Sequence, residues 1–209
     1  MTIDLHIHTY PRSPCSSMDP VDLIEEARRI GLDGICLTEH GLLWNPQELQ
    51  QLARRAGDLV ILRGMEVTTD QGDVLVLGFH GRTKEVMPIQ ELRQQVRSAG
   101  GFMIAAHPFR GFLLFGLAEF QLSVEQASLR PLFRHVDALE VGNCKVTGPE
   151  NEMARQVAHR LGLPGVAGSD AHRLEEVGRF VTVLERDVTN EEGLIRELRE
   201  GRFRVGSLR

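Results

Sequence analysis

Two histidines separated by one residue lie close to the N-terminus, in the stretch Asp4-Leu5-His6-Ile7-His8-Thr9. Because side chains alternate between the two faces of a β-strand, we expect His6 and His8 to point the same way, about 7 Å apart along the chain. Two imidazoles directed at one point from an apolar strand suit a divalent metal ion. An isolated His-x-His is also compatible with two half-buried polar residues on an edge strand, so the rest of the chain has to decide.

More histidines and carboxylates stand where other apolar segments end. They are His40 after Gly34–Thr38, Glu66 after Leu59–Leu62, His80 after Val74–Phe79, His107 after Phe102–Ala106, and Asp170 with His172 after Gly165–Gly168. Predicted helices alternate with these segments, and two of them begin at Asp19-Pro20 and at Pro46. Nearly continuous apolar strands that alternate with helices indicate an α/β fold with a parallel sheet covered on both faces. About seven such units favour a closed or nearly closed barrel.

The active site of such a barrel lies at the C-terminal ends of its strands. We therefore expect eight side chains to gather at one end: His6, His8, His40, Glu66, His80, His107, Asp170 and His172. Eight nitrogen and oxygen ligands are too many for one tetrahedral ion and suit two or three ions with a bridging carboxylate. Zinc, manganese and iron all accept such a set. His135 and His159 fall outside the strand ends and are interpreted as structural.

The composition limits the class of protein. The chain has 209 residues, a formal charge of −5 and no strong block of either sign, which argues against a general nucleic-acid binder. Its three cysteines show no CxxC spacing, so a disulfide framework and a thiolate zinc site are not expected and a reducing cytoplasm is the natural setting. No basic leader and no apolar run of about 18 residues is visible. We expect one cytoplasmic domain over residues 1–209, without a membrane partner.

Six short motifs, taken in order, resemble one family. DLHIHT, TEHG, GMEV, LGFH, AHP and GSDAH occur between Asp4 and His172, and this ordered set is similar to that of the PHP family, named for polymerase and histidinol phosphatase. The resemblance implies a distorted TIM-like (β/α)7 barrel, metal-dependent hydrolysis of phosphoesters and up to three metal ions.

The resemblance also implies a role for each motif residue. It puts His6, His8, Glu66 and Asp170 on a first ion, makes Glu66 the bridge to a second ion completed by His80 and His107, and leaves His40 and His172 for a third. The chain departs from the family pattern at Pro14, in a segment where members commonly supply Asp or His. Cys15 is the nearest side chain there that has a ligand atom. Glu39 stands where the family often has Asp.

The resemblance implies a phosphoesterase, which would act on a phosphomonoester or a nucleotide-like phosphoester. A hydroxide that bridges two ions would attack phosphorus, and His40 and His172 would stabilise or protonate the leaving oxygen. Arg12, Arg110 and Lys145 follow strand ends and are candidates to contact the phosphate, with solvated surface charge as the alternative.

Other readings stay open at this point. A non-catalytic PHP module could use the metal site only to stabilise its fold or to bind a partner. A hydrolase of the amidohydrolase type shares His-x-His on a barrel, but it is expected to carry a bridging lysine, and no strand end here has one. The aromatic segment Phe109–Phe133 is an ordinary barrel helix, a substrate lid or a contact in a homo-oligomer.

Overall fold

The computed structural model describes residues 1–111 and 123–209. The strands are β1 (Thr2–Ile7), β2 (Gly34–His40), β3 (Val60–Thr69), β4 (Gly72–Leu77), β5 (Phe102–Ala105), β6 (Ala138–Gly142), β7 (Gly165–Ala167), β8 (Val181–Leu184) and β9 (Phe203–Gly206). The helices are α1 (Pro20–Arg29), α2 (Pro46–Ala56), α3 (Ile89–Ser98), α4 (Val124–Ala127), α5 (Gly148–Leu161) and α6 (Glu191–Arg199). Among the described residues, no helix has the length and apolarity needed to cross a bilayer.

The nine strands of the described residues belong to one sheet, in the order β7-β6-β5-β4-β3-β2-β1-β8-β9. β1, β2 and β3 are parallel to one another, as are β5, β6 and β7. Because β4 is antiparallel to both β3 and β5, these six strands end on the same side, which we call the site end. The predicted α/β fold with a nearly closed, distorted TIM-like barrel is confirmed. The expectation of an all-parallel sheet is wrong, because β4 and β8 run antiparallel to their neighbours.

The reversal of β4 follows from a short connection. Only Asp70 and Gln71 separate β3 from β4, whereas a crossover to a parallel strand needs about a dozen residues or more. The turn is held by the Thr69 hydroxyl, which donates to the Gly72 carbonyl oxygen at 2.5 Å and accepts from the Gln71 N–H at 3.1 Å. Gly72 has a φ of 125°, a conformation that favours glycine.

The barrel closes where the segment after β7 meets β1. The His8 N–H donates to the Ala171 carbonyl oxygen at 3.0 Å, and the Ala171 N–H donates to the His6 carbonyl oxygen at 3.2 Å. A Cβ at Gly168 would lie 2.6 Å from the His6 backbone nitrogen, so this approach requires glycine. Asp4 is fully buried at the same seam and accepts from the N–H groups of Ser169 at 2.8 Å and Gly178 at 3.0 Å.

The barrel interior is filled by aliphatic side chains and closed at the far end by α6. Leu5, Leu62 and Leu75 belong to one buried cluster with Leu194 and Leu198 of α6. Each buried leucine contributes about 2 kcal/mol relative to an exposed one. This apolar cluster therefore forms the core of the barrel on the side of α6.

Two outer helices begin where the sequence predicts. The Asp19 carboxylate caps α1 by accepting from the Val21 N–H at 2.7 Å, and Asn45 caps α2 by accepting from the Gln47 N–H at 2.8 Å. A proline follows each cap in the first turn. These caps fix the points at which the chain leaves the site end and turns into a helix.

Candidate metal centre

The structure brings all but one of the eight predicted side chains together at the site end. They form three overlapping groups whose ligand atoms lie within 4.8 Å of one another: His6, His8 and Asp170; His6, Glu66 and His107; and His8, His40 and His172. His6 and His8 come from β1 and the residue after it, whereas Asp170 follows β7. The cluster therefore lies at the seam of the barrel.

The first group has the spacing of ligands around one ion. The Nε2 atoms of His6 and His8 are 3.0 Å apart, and the His8 Nε2 lies 3.2 Å from Glu66 Oε2 and 3.3 Å from Asp170 Oδ1. The His6 Nε2 lies 3.5 and 3.6 Å from the same two oxygens. Ligands about 2.1 Å from a tetrahedral zinc ion are roughly 3.4 Å apart. The nitrogens of His6 and His8 therefore lie at ligand-like separations from each other and from one oxygen of Asp170, with a Glu66 oxygen next to both imidazoles.

Hydrogen bonds on the other side of each ring fix which nitrogen faces that point. The His6 Nδ1 donates to Glu140 Oε1 at 2.9 Å, and a carboxylate only accepts. The Ser13 hydroxyl donates its hydrogen to Glu39 at 2.5 Å, so it accepts from the His8 Nδ1 at 3.3 Å. Both Nε2 atoms then carry lone pairs directed at each other and at two carboxylate oxygens. Such a set of acceptors requires a cation, and it fits a divalent metal ion.

Glu66 is a member of the second group and connects it to the other two. Its Oε1 lies 2.8 Å from the His107 Nε2, and its Oε2 lies 3.0 Å from the His40 Nδ1. The His40 and His172 rings flank His8, with centroids at 4.3 and 4.5 Å from its ring. The His172 Nδ1 donates to the Asp170 carbonyl oxygen at 2.9 Å, which leaves its Nε2 free to accept.

Two residues of the cluster have an uncommon backbone conformation. Among the described residues, His107 with a φ of 27° and Asp170 with a φ of 53° are the non-glycine residues with positive φ. A positive φ is uncommon for residues other than glycine and persists where the surroundings hold it. The strain therefore coincides with the positions that aim a ligand atom into the cluster.

The charges in the cluster reinforce one another. Burial alone would raise the pKa of Glu66, but His6, His107 and His40 together lower it well below the usual value. Burial would lower the pKa of His6, but Asp170, Glu140 and Glu66 raise it well above the usual value. In the absence of a metal ion, the carboxylates thus stay ionised and favour a positive charge on the imidazole. A divalent cation would supply the same positive charge next to the carboxylates.

The structure does not bring His80 to this cluster, and its prediction as a ligand is corrected. Because β4 is antiparallel, the residues after it lie at the far end of the barrel. There the His80 Nε2 lies 3.3 Å from Glu191 Oε2, and the side chain is 59% exposed. The first residues of β4 lie at the site end instead, where the Asp73 carbonyl oxygen accepts from the Ala106 N–H at 3.0 Å, next to His107.

The three predicted phosphate-binding cations have different surroundings. Arg110 lies at the cluster, with Nη1 3.7 Å from Asp170 Oδ2, and is 53% exposed. Arg12 lies over the Trp44 ring at 3.6 Å and pairs with Glu48 at 2.7 Å.

Lys145, the third candidate, forms an ion pair with Glu176. Glu176 also accepts from the His172 N–H at 2.8 Å, so this pair supports the loop that carries His172. Arg110 is therefore the candidate that already contacts a cluster residue.

The loop after His8 contributes a hydroxyl in place of the ligand expected there. Ser13, next to Pro14, contacts His8, and its partner Glu39 also accepts from the Thr9 N–H at 3.0 Å and the Trp44 indole N–H at 2.9 Å. Cys15 is largely exposed. Its partial burial, together with the charges of Glu66 and Asp170, raises the pKa of its thiol.

Two buried glutamates, Glu39 and Glu140, were not singled out as site residues from the sequence. The signal was available, because each is a charged residue inside an apolar strand. The apolar residues proposed as a lid, from Phe112 to Phe120, lie outside the described residues.

Comparison with known families gives the same result as the motifs. Residues 4–133 match the PHP domain family, and residues 148–203 match the PHP-associated family. The chain belongs to the PHP family. Its membership, with the cluster of histidines and carboxylates, supports a metal-dependent hydrolase. An uncharacterised protein of Methanocaldococcus jannaschii is 26% identical over 118 residues, which are 52% of this chain and 68% of that protein.

Solved structures share the PHP fold over nearly the whole chain. A proposed metal-dependent phosphoesterase of Bifidobacterium adolescentis is 18% identical with a TM-score of 0.65, covering 94% of this chain and 95% of that one. PsfC of Pseudomonas syringae has the same identity and TM-score, covering 99% and 91%. An amidohydrolase of Chromobacterium violaceum, with bound sulfate and no metal, is 17% identical with a TM-score of 0.64, covering 99% and 98%. At such low sequence identities, the similarity to these structures shows a shared fold and nothing more.

Proposed function

We propose that this PHP protein hydrolyses a phosphomonoester or a nucleotide-like phosphoester at a centre of two or three divalent ions. The observation that carries the proposal is the position of Glu66 between His107 on one oxygen and His8 and His40 on the other. One carboxylate shared in this way suits a bridge between adjacent ions. The half-exposed guanidinium of Arg110 adds a cation that can donate to phosphoryl oxygens.

Divalent ions held here would supply a water of lowered pKa and positive charge for the phosphoryl group. The protein would contribute orientation and further charge. Arg110 would donate hydrogen bonds to phosphoryl oxygens at the mouth of the site. His40 is 48% exposed at the edge of the cluster, close enough to the opening to stabilise or protonate a leaving oxygen, and His172 faces it with ring centroids 6.3 Å apart.

Phosphate esters are favoured over amides because of the residues around the cluster. A bridging lysine is not found at a strand end in the described part of the chain, and Lys145, in the loop after β6, is held by Glu176. Arg110 presents a positive charge to the opening, and divalent ions held by the imidazoles would add to it. That distribution suits a dianionic phosphomonoester better than a neutral amide.

The test combines metal analysis with turnover. The purified protein would be stripped with a chelator, reconstituted with manganese, zinc or iron, and assayed on p-nitrophenyl phosphate, bis-p-nitrophenyl phosphate and a neutral amide. We expect metal-dependent release of nitrophenol from at least one phosphoester, with no turnover in the stripped protein. Full metal occupancy without turnover of either ester would contradict the proposal and favour a non-catalytic binding module. Turnover of the amide alone would favour the amidohydrolase type of reaction.

A further inference from the structure

Glu140 is a buried carboxylate at the centre that does not belong to any of the three ligand groups in the described part of the chain. It lies in β6, opposite Val166 of β7, and is 1% exposed. A buried carboxylate is unfavourable unless its oxygens are hydrogen-bonded. Its partners therefore indicate why it is there.

Both oxygens of Glu140 are used by the metal cluster. Oε1 accepts from the His6 Nδ1 at 2.9 Å. Oε2 accepts from the His107 backbone N–H at 2.8 Å and from the Asn143 amide at 2.9 Å. The same Asn143 amide lies 3.4 Å from Asp170 Oδ2. One side chain thus contacts two of the predicted ligand residues directly and reaches a third through Asn143.

Each contact has a separate effect on the geometry of the centre. The bond to His6 keeps the hydrogen on Nδ1, so that the Nε2 lone pair faces the ion position. The bond to the His107 N–H holds the backbone at a residue whose φ is 27°. The contact through Asn143 orients the carboxylate of Asp170, whose φ is 53°.

We infer that Glu140 is a positioning residue that sets the affinity of the centre for its ions without ligating them. It acts by fixing the tautomer of His6 and the backbone of His107. The inference rests on the metal centre of the proposed function, but it does not depend on which substrate the enzyme hydrolyses.

The substitution Glu140→Gln tests this because the two side chains have nearly the same shape. The glutamine amide has one acceptor oxygen and one NH2 group. If the NH2 faces His6, the ring has to accept on Nδ1 and place its hydrogen on Nε2, towards the ion. If the NH2 faces the other side, it meets the His107 N–H and the Asn143 amide, which are also donors. Either orientation therefore disturbs a ligand.

Binding of manganese or zinc to the stripped protein would be measured by competition with a chromogenic chelator, without substrate. We expect Glu140→Gln to weaken binding by about 10- to 100-fold, the range for loss of an outer partner of a metal-ligating histidine. Glu150→Gln is the matched control, because Glu150 is also buried, at 2% exposure. It forms the capping box of α5, where glutamine serves equally well. The affinity of the Glu150→Gln protein for the metal ion should stay within about twofold of that of the original protein.

A purely structural role predicts a different result. In that case Glu140→Gln would lower the melting temperature of the stripped protein, while the folded fraction would bind metal with unchanged affinity. An affinity within threefold of the original would overturn the inference. If Glu140→Gln does not fold, Glu140→Asp keeps the charge, shortens the side chain and is judged by the same titration. Metal binding without phosphoester turnover in the original protein would contradict the proposed function and leave this inference standing.

Discussion

The two ends of the barrel both place a histidine beside a glutamate, but they neutralise the glutamate in different ways. At the site end, Glu66 is 3% exposed and faces imidazoles. At the far end, Glu191 pairs with Arg63 at 3.0 Å and with His80 at 3.3 Å, beside an open cavity of about 1010 Å³. Arginine keeps its charge at all ordinary pH values, whereas imidazole offers a lone pair when neutral. At the far end, Arg63 thus already neutralises the charge of Glu191, whereas the site end still lacks a permanent positive charge beside Glu66.

The largest effect is expected from replacing the glutamate at the site end. Glu66→Ala removes a ligand of the second group and an oxygen that contacts His8 and His40. Bound metal and activity should therefore fall together, by more than the roughly 100-fold that loss of an outer partner costs. Metal content by elemental analysis and kcat/KM on the best phosphoester would check this. Glu191→Ala is the matched control and should keep both. A Glu66→Ala protein with full metal content and normal turnover would show that the site end does not depend on Glu66 to hold its ions.

Replacing His107 should remove one ion and leave another ion bound. His107→Ala leaves His6, His8 and Asp170 in place, so one ion should remain while the Glu66–His107 position empties. Because activity in a two-metal site depends on both positions, turnover should drop by roughly 100-fold. Titration of metal stoichiometry would reveal the loss of one equivalent. An unchanged stoichiometry would show that His107 does not hold an ion.

Arg110 tests whether the opening of the site binds an anion. Arg110→Ala should lower kcat/KM by roughly 10-fold or more, since a hydrogen bond to a charged group contributes about 1.5–3 kcal/mol. Metal content should stay unchanged. Arg155→Ala on α5 is a control of similar exposure, 52% against 53% for Arg110. Equal kinetics for both variants would remove Arg110 from substrate binding.

The smallest effect is expected at the far end. His80→Ala removes an exposed side chain, so stability should change by no more than about 0.5 kcal/mol. Metal content and turnover should match those of the original protein. A loss of bound metal in this variant would restore His80 as a ligand and contradict the strand directions described above.

Much of the fold and of the candidate centre is visible in the sequence because the signals are local. Asp19-Pro20 and Asn45-Pro46 mark helix starts, and the helices begin there. The apolar strands that lead to His40 and His107 are predicted at those positions because a buried strand followed by a polar residue is a short-range pattern.

The direction of β4 could not be read from its own residues. An apolar run such as Val74–Leu77 is buried on both faces whichever way it runs, so its composition is the same in a parallel and an antiparallel strand. The deciding signal was the length of the connection at Asp70-Gln71, which is too short for a crossover. The role of Glu140 depends on contacts with His6, 134 positions away, and with His107, 33 positions away, which no local pattern encodes.

Because the metal centre lies at the seam of the barrel, a bound ion would also affect the stability of the fold. Asp4 and Ser169, which meet there, are 165 positions apart, and the candidate ligands His6 and Asp170 lie beside them. An ion that joins His6 to Asp170 closes a loop of nearly that length, as a disulfide would in a secreted protein. In the chain-entropy description such a closure restricts the unfolded chain by on the order of 5 kcal/mol. The three described cysteines are free, so in this protein an ion bound there would also serve as the cross-link between β1 and the segment after β7.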